Sequence, residues 1–166
     1  MVKLLIVLAT LALLCAGVWF FFFNKSEEDK VRERMLSFIE VMEKSAEDSN
    51  LSEAIRSQQI PNYLAPEFKI TEVHRLVNDT YSPTEFASTV LRFTASCSVI
   101  DIDYYNMEVV ITGETTAEVS FEGTATAKLK GSSESMREAR DIVFSFEKID
   151  DKWLITTAAA RKVMTK

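Results

Sequence analysis

The amino-acid sequence predicts an α+β domain, in which a curved antiparallel sheet carries helices on its concave side, behind one N-terminal transmembrane helix. Residues 4–23 form twenty consecutive positions without a charge. Apolar residues then recur at helical spacing in the first half of the domain and alternate with polar residues in the second half. Helices followed by meandering strands are typical of α+β folds.

The apolar segment from Leu4 to Phe23 is long enough, as a helix, to cross the ~30 Å hydrocarbon core of a bilayer. Signal-peptide cleavage at Cys15-Ala16-Gly17 would leave an aromatic run at the new terminus. A bacterial lipoprotein would have a small residue where Leu14 precedes the cysteine. The sequence therefore favours an uncleaved signal anchor over residues 1–25 and one domain over residues 26–166.

The charges around the anchor favour different orientations. More basic residues follow the anchor than precede it: Lys3 lies before it, and Lys25, Lys30, Arg32 and Arg34 lie after it. This excess would keep the domain inside the cytoplasm. Glu27 and Glu28 offset part of that positive charge. A short N-terminal segment with one lysine is also typical of signal anchors whose N-terminus stays in the cytoplasm. We expect a single-pass protein of a bacterial inner membrane, with its C-terminal domain outside the cytoplasm.

The domain beyond the anchor is acidic. The chain has 25 acidic and 19 basic residues, and of these only Lys3 and Lys25 precede Ser26, which gives the domain a formal charge of −8. This charge argues against binding to nucleic acid or anionic lipid, so membrane contact is assigned to the anchor. Cys97 is the only cysteine beyond the anchor, so neither an intradomain disulfide nor a multi-thiolate metal site is expected. We expect no metal and no cofactor.

Three helices are predicted. Ser26 caps the first, which continues to about Ser49 along one apolar face (Val31, Met35, Phe38, Ile39, Met42 and Ala46). Asn50 or Ser52 caps a short second helix that carries Leu51, Ala54 and Ile55 and ends at Pro61. Ser82-Pro83 starts the third, whose apolar stripe is Phe86, Val90, Phe93 and Cys97.

The predicted strands begin with the segment from Tyr63 to Val73, a short turn followed by a strand. After the third helix the pattern changes to alternation, first at Tyr105, Met107, Val109 and Ile111 and then, most regularly, from Ala117 to Leu129. Gly123 predicts a bulge or sharp bend within that strand. Turns at Gly113-Glu114, Gly131-Ser132-Ser133 and Asp150-Asp151 separate the strands, the last two of which carry Ile142, Phe144, Phe146, Trp153 and Ile155.

This order of elements resembles the nuclear transport factor 2-like (SnoaL-like) superfamily. The likeness lies in Tyr63-Leu64-Ala65-Pro66-Glu67-Phe68-Lys69-Ile70 at the entry into the first strand, Ser82-Pro83-Thr84-Glu85-Phe86 at the third helix, and the closing hairpin from Arg140 to Thr157. The resemblance implies a cone-shaped sheet around an apolar pocket. Members include isomerases, dehydratases, hydrolases, binding modules and secretion-system subunits, so the fold does not specify the function.

Three residues are candidates for catalysis. His74, the only histidine, could act as a general base, although a histidine at a strand end more often lies at the surface. Asp101 and Asp103 could provide pocket acids beside Tyr104 and Tyr105. Alternation instead sends both aspartates to one solvated face, opposite Ile100 and Ile102, which is the more common environment for carboxylates.

An aromatic set could line a pocket for a small apolar ligand, or simply fill the core. Its members are Phe38, Phe86, Phe93, Phe121, Phe144 and Trp153. Because the inward positions of the predicted strands are apolar, the sequence favours a membrane-tethered, non-catalytic binding or accessory module. The resemblance implies an envelope protein complex as its partner, and the other option is a second copy in a homodimer. The alternative is an isomerase, dehydratase or hydrolase acting on an apolar substrate.

Overall fold

The structure, a computed structural model, describes residues 25–72 and 77–162. The predicted membrane segment from Leu4 to Phe23 and the candidate base His74 lie outside these ranges. No helix within the described ranges is long and apolar enough to cross a membrane. The described residues form an α+β domain, as the sequence predicts.

The domain contains three α-helices, one short 3-10 helix and six strands within the described ranges. In chain order they are α1 Glu27–Met42, α2 Asn50–Ser57, the 3-10 helix Ile60–Tyr63, β1 Leu64–Glu72, β2 Val77–Tyr81, α3 Pro83–Ser96, β3 Cys97–Ile111, β4 Thr116–Leu129, β5 Ser135–Ile149 and β6 Lys152–Lys162. The strands form one sheet in the order β2-β1-β6-β5-β4-β3. The predicted strands lacked β2, whose five residues show no alternation of apolar and polar side chains.

The sheet is mixed, whereas the sequence predicted an antiparallel one. Strands β3 to β6 form the predicted meander, and β1 and β2 form an antiparallel pair. The exception is the parallel pairing of β1 with β6. It arises because α3 carries the chain from β2 to the far edge of the sheet, and the meander then returns β6 alongside β1. Strand alternation reports which face is buried, but it does not report the direction of a neighbouring strand.

Helix α1 begins where predicted and ends earlier. The Ser26 hydroxyl accepts a hydrogen bond from the Asp29 backbone, and the Asp29 carboxylate accepts one from the Ser26 backbone, which forms a capping box. The helix stops at Met42, seven residues before the predicted end. Beyond it Lys44 adopts extended backbone and exchanges two hydrogen bonds, of 2.8 and 2.9 Å, with Ile100 of β3. This tertiary pairing replaces the last two predicted turns.

Helix α2 buries the face opposite to the one that its apolar residues suggest. Its N-cap is Ser49, not Asn50 or Ser52, and it ends at Ser57 before the 3-10 helix that contains Pro61. Leu51 is 71% exposed and Ile55 is 50% exposed, while Glu53 and Ser57 are buried. The reason is the ion pair that Glu53 forms in the interior, described below.

Gly123 lies within a regularly paired part of β4, and the predicted bulge is located on the neighbouring strand. Gly123 pairs with Tyr104 on one side and with Arg140 on the other. The register shift falls in β3 between Tyr105 and Glu108, where Asn106 has a positive φ of 54°. A Cβ atom at Gly123 would lie 2.9 Å from the Ile142 Cδ1 atom, so the glycine leaves room for the Ile142 side chain and does not mark a bend.

The first turn of α1 is bound to the closing hairpin. The Glu27 carboxylate accepts hydrogen bonds from the Trp153 indole at 2.8 Å and from Lys148 at 3.3 Å, and it pairs with Lys30 at 2.7 Å. The hydrogen bond from Lys30 contributes most, and that from Trp153 next, to lowering the pKa of Glu27 from 4.5 to about 2. Glu27 therefore connects α1 to β6 by the hydrogen bond from Trp153, and to β5 by the hydrogen bond from Lys148.

Replacing Glu27 with Gln is expected to reduce the stability of the domain at neutral pH and to remove one component of its acid sensitivity. Because the folded pKa lies below the unfolded one, the carboxylate stabilises the fold above about pH 4.5, and this contribution is lost as the pH falls towards 2. The side chain is 36% exposed, so solvent screening reduces the expected loss to about 1 kcal/mol. Urea unfolding at pH 7 and pH 3 measures both effects. A loss of equal size at the two pH values would contradict this assignment.

Candidate functional site

The interior between the sheet and α1 is filled by aromatic rings from the predicted pocket set. Phe144 stacks on Phe121 with ring centroids 6.0 Å apart and meets Phe38 edge-on at 6.1 Å. Phe38 also contacts Tyr63 at 5.7 Å. Phe38, Phe121, Phe144 and Trp153 are each at most 8% exposed and belong to one core cluster. These four side chains pack against the domain's own residues.

The two aromatic residues of α3 have different environments. Phe86 is half-buried and contacts Phe68 edge-on, with centroids 4.9 Å apart, and Tyr81 at 6.0 Å. Phe93 is 48% exposed, which removes it from the interior that the other members of the set occupy. The buried residue on this helix is Ala87. The small side chain of Ala87 allows α3 to lie close to the sheet. Phe93 comes six residues later and, at 3.6 residues per turn, lies on a different side of the helix.

Asp101 and Asp103 lie on the exposed face of β3, as alternation predicts, and Ile100 is buried on the other side of the strand. Their negative charges reach Glu43, which follows α1. Burial raises the pKa of the Glu43 carboxyl above its usual range, and the charges of Asp101, Glu40 and Asp103 add to this effect. The two aspartates therefore belong to an exposed acidic edge. Among the described residues, no group of three or more His, Cys, Asp or Glu side chains could hold a metal ion.

A buried ion pair between Lys44 and Glu53 is the main polar feature of the interior. Both side chains are at most 5% exposed. The Lys44 ammonium group also donates hydrogen bonds to the backbone oxygens of Thr94, at 2.9 Å, and Cys97, at 2.7 Å. Its three donors are therefore all used, and they join α2 to the end of α3 and the start of β3.

A small cavity adjoins this pair. Its volume is about 10 Å³, and Arg56, Ser57 and Thr94 contribute to its lining beside Lys44 and Glu53. A cavity of this size holds about one water molecule. The arrangement is suited to fixing three elements together rather than to admitting a substrate.

Sequence reasoning did not identify this pair. The predicted first helix extended to Ser49 and would have placed Lys44 on a solvated helical surface. Its hydrogen-bond acceptors in α3 and β3 lie 50 and 53 residues further along the chain. The only local feature near the pair is that Glu53 lies two residues from both Leu51 and Ile55. In the structure those two apolar side chains face solvent and Glu53 is buried. No periodicity rule connects positions so far apart.

A groove opens at the surface between the end of β2 and helix α3, and we call it the β2–α3 groove. It has a volume of about 670 Å³ and is lined by Thr80, Tyr81, Thr84, Glu85, Ser88, Thr89, Leu91 and Arg92. A second hollow of about 310 Å³ lies on the other side of α3, next to α2. Thr84, Ser88 and Leu91 border both, so one exposed ridge of α3 separates them.

Comparison with solved structures shows what this domain resembles. A protein provisionally described as a scytalone dehydratase, from Novosphingobium aromaticivorans, has a TM-score of 0.67 and 13% identity, with 84% of this chain and 86% of that chain covered. A ketosteroid isomerase-like protein from Erwinia carotovora atroseptica has a TM-score of 0.62 and 14% identity, with 86% and 100% covered. The described domain has the nuclear transport factor 2-like fold.

A third similar structure has a different description. It is provisionally described as a calcium/calmodulin-dependent protein kinase II association domain, from Xanthomonas campestris, with a TM-score of 0.61, 15% identity, and 84% of this chain and 91% of that chain covered. No protein-family description matches this sequence, and comparison with curated proteins finds no similar one. At these identities the likeness concerns the fold alone, and the names of the similar proteins span both enzymes and an association domain.

Proposed function

We propose that the protein is a single-pass membrane protein whose nuclear transport factor 2-like domain is a non-catalytic binding or accessory module outside the cytoplasm. The observation that carries the proposal is the packing of Phe144 against Phe121 and Phe38, at centroid distances of 6.0 and 6.1 Å, in the interior where the resemblance implies an apolar pocket. Binding is then assigned to the surface, where the β2–α3 groove is open.

The position of the domain relative to the apolar segment supports a tether. Helix α1 begins at Glu27, only four residues beyond Phe23. Over so short a connection the domain would remain within one or two nanometres of the bilayer. The formal charge of −8 disfavours adsorption to anionic lipid, so the tether itself would hold the module at the membrane.

A reporter that is active only outside the cytoplasm, fused after Lys166, tests the proposed location. The expected result is an active fusion in the membrane fraction, and deletion of residues 4–23 should release it from that fraction. A silent fusion at good expression would overturn the external location.

Lysine-reactive cross-linking in intact cells tests the accessory role. The expected result is an envelope protein attached to the full chain. Capture of the chain alone would refute the accessory role in favour of self-association.

The alternative is an isomerase, dehydratase or hydrolase of the same fold that acts on an apolar substrate. The observation that favours it is the likeness to the proteins described as a scytalone dehydratase and as ketosteroid isomerase-like. His74 would be its base, or Asp101 or Asp103. Turnover of an apolar ketone by the full chain, lost in His74→Ala, would replace the proposal with this alternative.

A further inference from the structure

The two edges of the sheet are protected differently. At the β3 edge, the Lys44 backbone pairs with Ile100, and Arg32 donates a hydrogen bond to the Met107 carbonyl at 3.2 Å. At the other edge, β2 pairs with β1 on one side, and no described strand lies along its other side. An uncovered edge can pair with another extended chain.

Strand β2 has the backbone groups for such a pairing. Its five residues pair in antiparallel register with β1, from Phe68 opposite Tyr81 to Glu72 opposite Val77. In this pattern alternate residues point their N–H and C=O groups towards the neighbour, and the others point them away. Two or three residues of β2, about half of the strand, therefore present backbone donors and acceptors on the open side.

The β2–α3 groove reaches this strand at its last two residues, Thr80 and Tyr81. It is open to solvent and has a volume of about 670 Å³. Tyr81 and Leu91 provide apolar surface, while Thr80, Thr84 and Ser88 provide hydroxyl groups. An edge strand beside a helix-lined groove is a recurrent arrangement for binding extended peptides, in which the backbone gives affinity and the groove gives selectivity.

The charges of the groove are placed at its two ends. Glu85 lies in the first turn of α3, where its carboxylate caps the helix through Ser82. Arg92 follows seven residues later, about 10 Å along the helix. Within the described part of the chain, Arg92 donates one side-chain hydrogen bond, to Thr89 at 3.2 Å, and forms no ion pair. This guanidinium therefore has donors that can pair with a carboxylate.

Resting on the proposed binding function, we propose that the β2–α3 groove binds an extended segment of a partner protein, which pairs with β2 as an added strand and places an acidic side chain at Arg92. An extended chain covers the distance between Glu85 and Arg92 in about three residues. The segment would therefore carry its acidic residue about three positions from the end that lies near Glu85, with apolar or hydroxyl side chains between them.

The test uses the full chain in nanodiscs and an array of heptapeptides, Thr-Xaa-Thr-Glu-Thr-Xaa-Thr, with Xaa as Val, Ile, Leu or Phe, so that Glu lies three positions from either end. Fluorescence anisotropy should identify binders, and Arg92→Glu should weaken them at least tenfold. A peptide with Lys in place of Glu should bind Arg92→Glu better than it binds the original chain. Hydrogen exchange should show new protection over residues 77–81. Methylation of the peptide backbone nitrogens should abolish binding.

Arg137→Glu is the matched control, because Arg137 is also exposed but lies on β5, away from the groove. It should leave peptide affinity unchanged. Failure of every array member to bind would overturn the inference, as would equal effects of the two charge reversals. Self-association that Arg92→Glu abolishes, without peptide binding, would assign the groove to a second copy. Cross-linking of an envelope partner that Arg92→Glu leaves intact would refute this inference and retain the proposed function.

Discussion

Replacing Lys44 with Met is expected to lower the free energy of unfolding by about 3–5 kcal/mol. The substitution keeps the unbranched shape of the side chain, one atom shorter, but leaves the Glu53 carboxylate buried without its partner. It also removes the donor to the Thr94 and Cys97 carbonyl oxygens. Urea unfolding of the full chain in detergent, followed by tryptophan fluorescence, measures the change.

Two variants test this explanation. Lys30→Met breaks an ion pair whose side chains are 48% and 36% exposed, so its expected cost is below about 1 kcal/mol. The double variant Lys44→Met/Glu53→Leu should recover part of the loss, because the carboxylate is gone while the two carbonyl oxygens still lack a donor. If Lys44→Met costs no more than Lys30→Met, the pair does not hold these elements together.

Phe144→Ala is expected to destabilise the domain by about 3–5 kcal/mol. The Phe144 ring lies between Phe38 and Phe121, so truncation removes both ring contacts and leaves a cavity in the centre of the sheet. The same urea experiment measures the loss. The variant should also bind a benzene-sized apolar ligand. This ligand should raise the thermal midpoint of the variant and leave that of the original chain unchanged.

Phe93→Ala provides the control from the same predicted aromatic set. Because Phe93 is 48% exposed, its truncation should cost less than about 1 kcal/mol. A cost at Phe144 as small as that at Phe93 would show that the interior is loosely packed. An apolar ligand that already raises the thermal midpoint of the original chain would identify an existing pocket and favour the enzymatic alternative.

Local signals predicted the elements that depend on neighbouring residues. The caps at Ser26 and Ser82 are correct, because a hydroxyl three residues before an acidic side chain satisfies donors within the same turn. The turn at Asp150-Asp151 is correct too, and both residues have positive φ values of 48° and 61°. The alternation of apolar and polar residues in β4 correctly predicted its buried face from Ala117 to Gly123. A strand with one buried and one solvated face shows this alternation.

The errors share a different cause. Helix α1 was predicted too long, and α2 with the wrong face buried, because Lys44 leaves the helix to pair with Ile100 and with Glu53. Neither partner can be recognised from spacing along the chain. The pocket set illustrates the same limit, since Phe93 and Phe144 are equally apolar in the sequence and one is 48% exposed while the other is 8% exposed.

The sequence by itself determined the α+β class, the order of helices and meandering strands, and the acidic surface, because these follow from periodicity, capping and charge count within short windows. It also supplies the apolar segment from Leu4 to Phe23, on which the proposed tether rests. Only the tertiary structure decided that β1 lies parallel to β6, that Lys44 and Glu53 meet in the interior, and that β2 is an edge strand among the described strands. Those features depend on which distant segments come into contact, and contact energies between distant residues leave no periodic trace in a sequence.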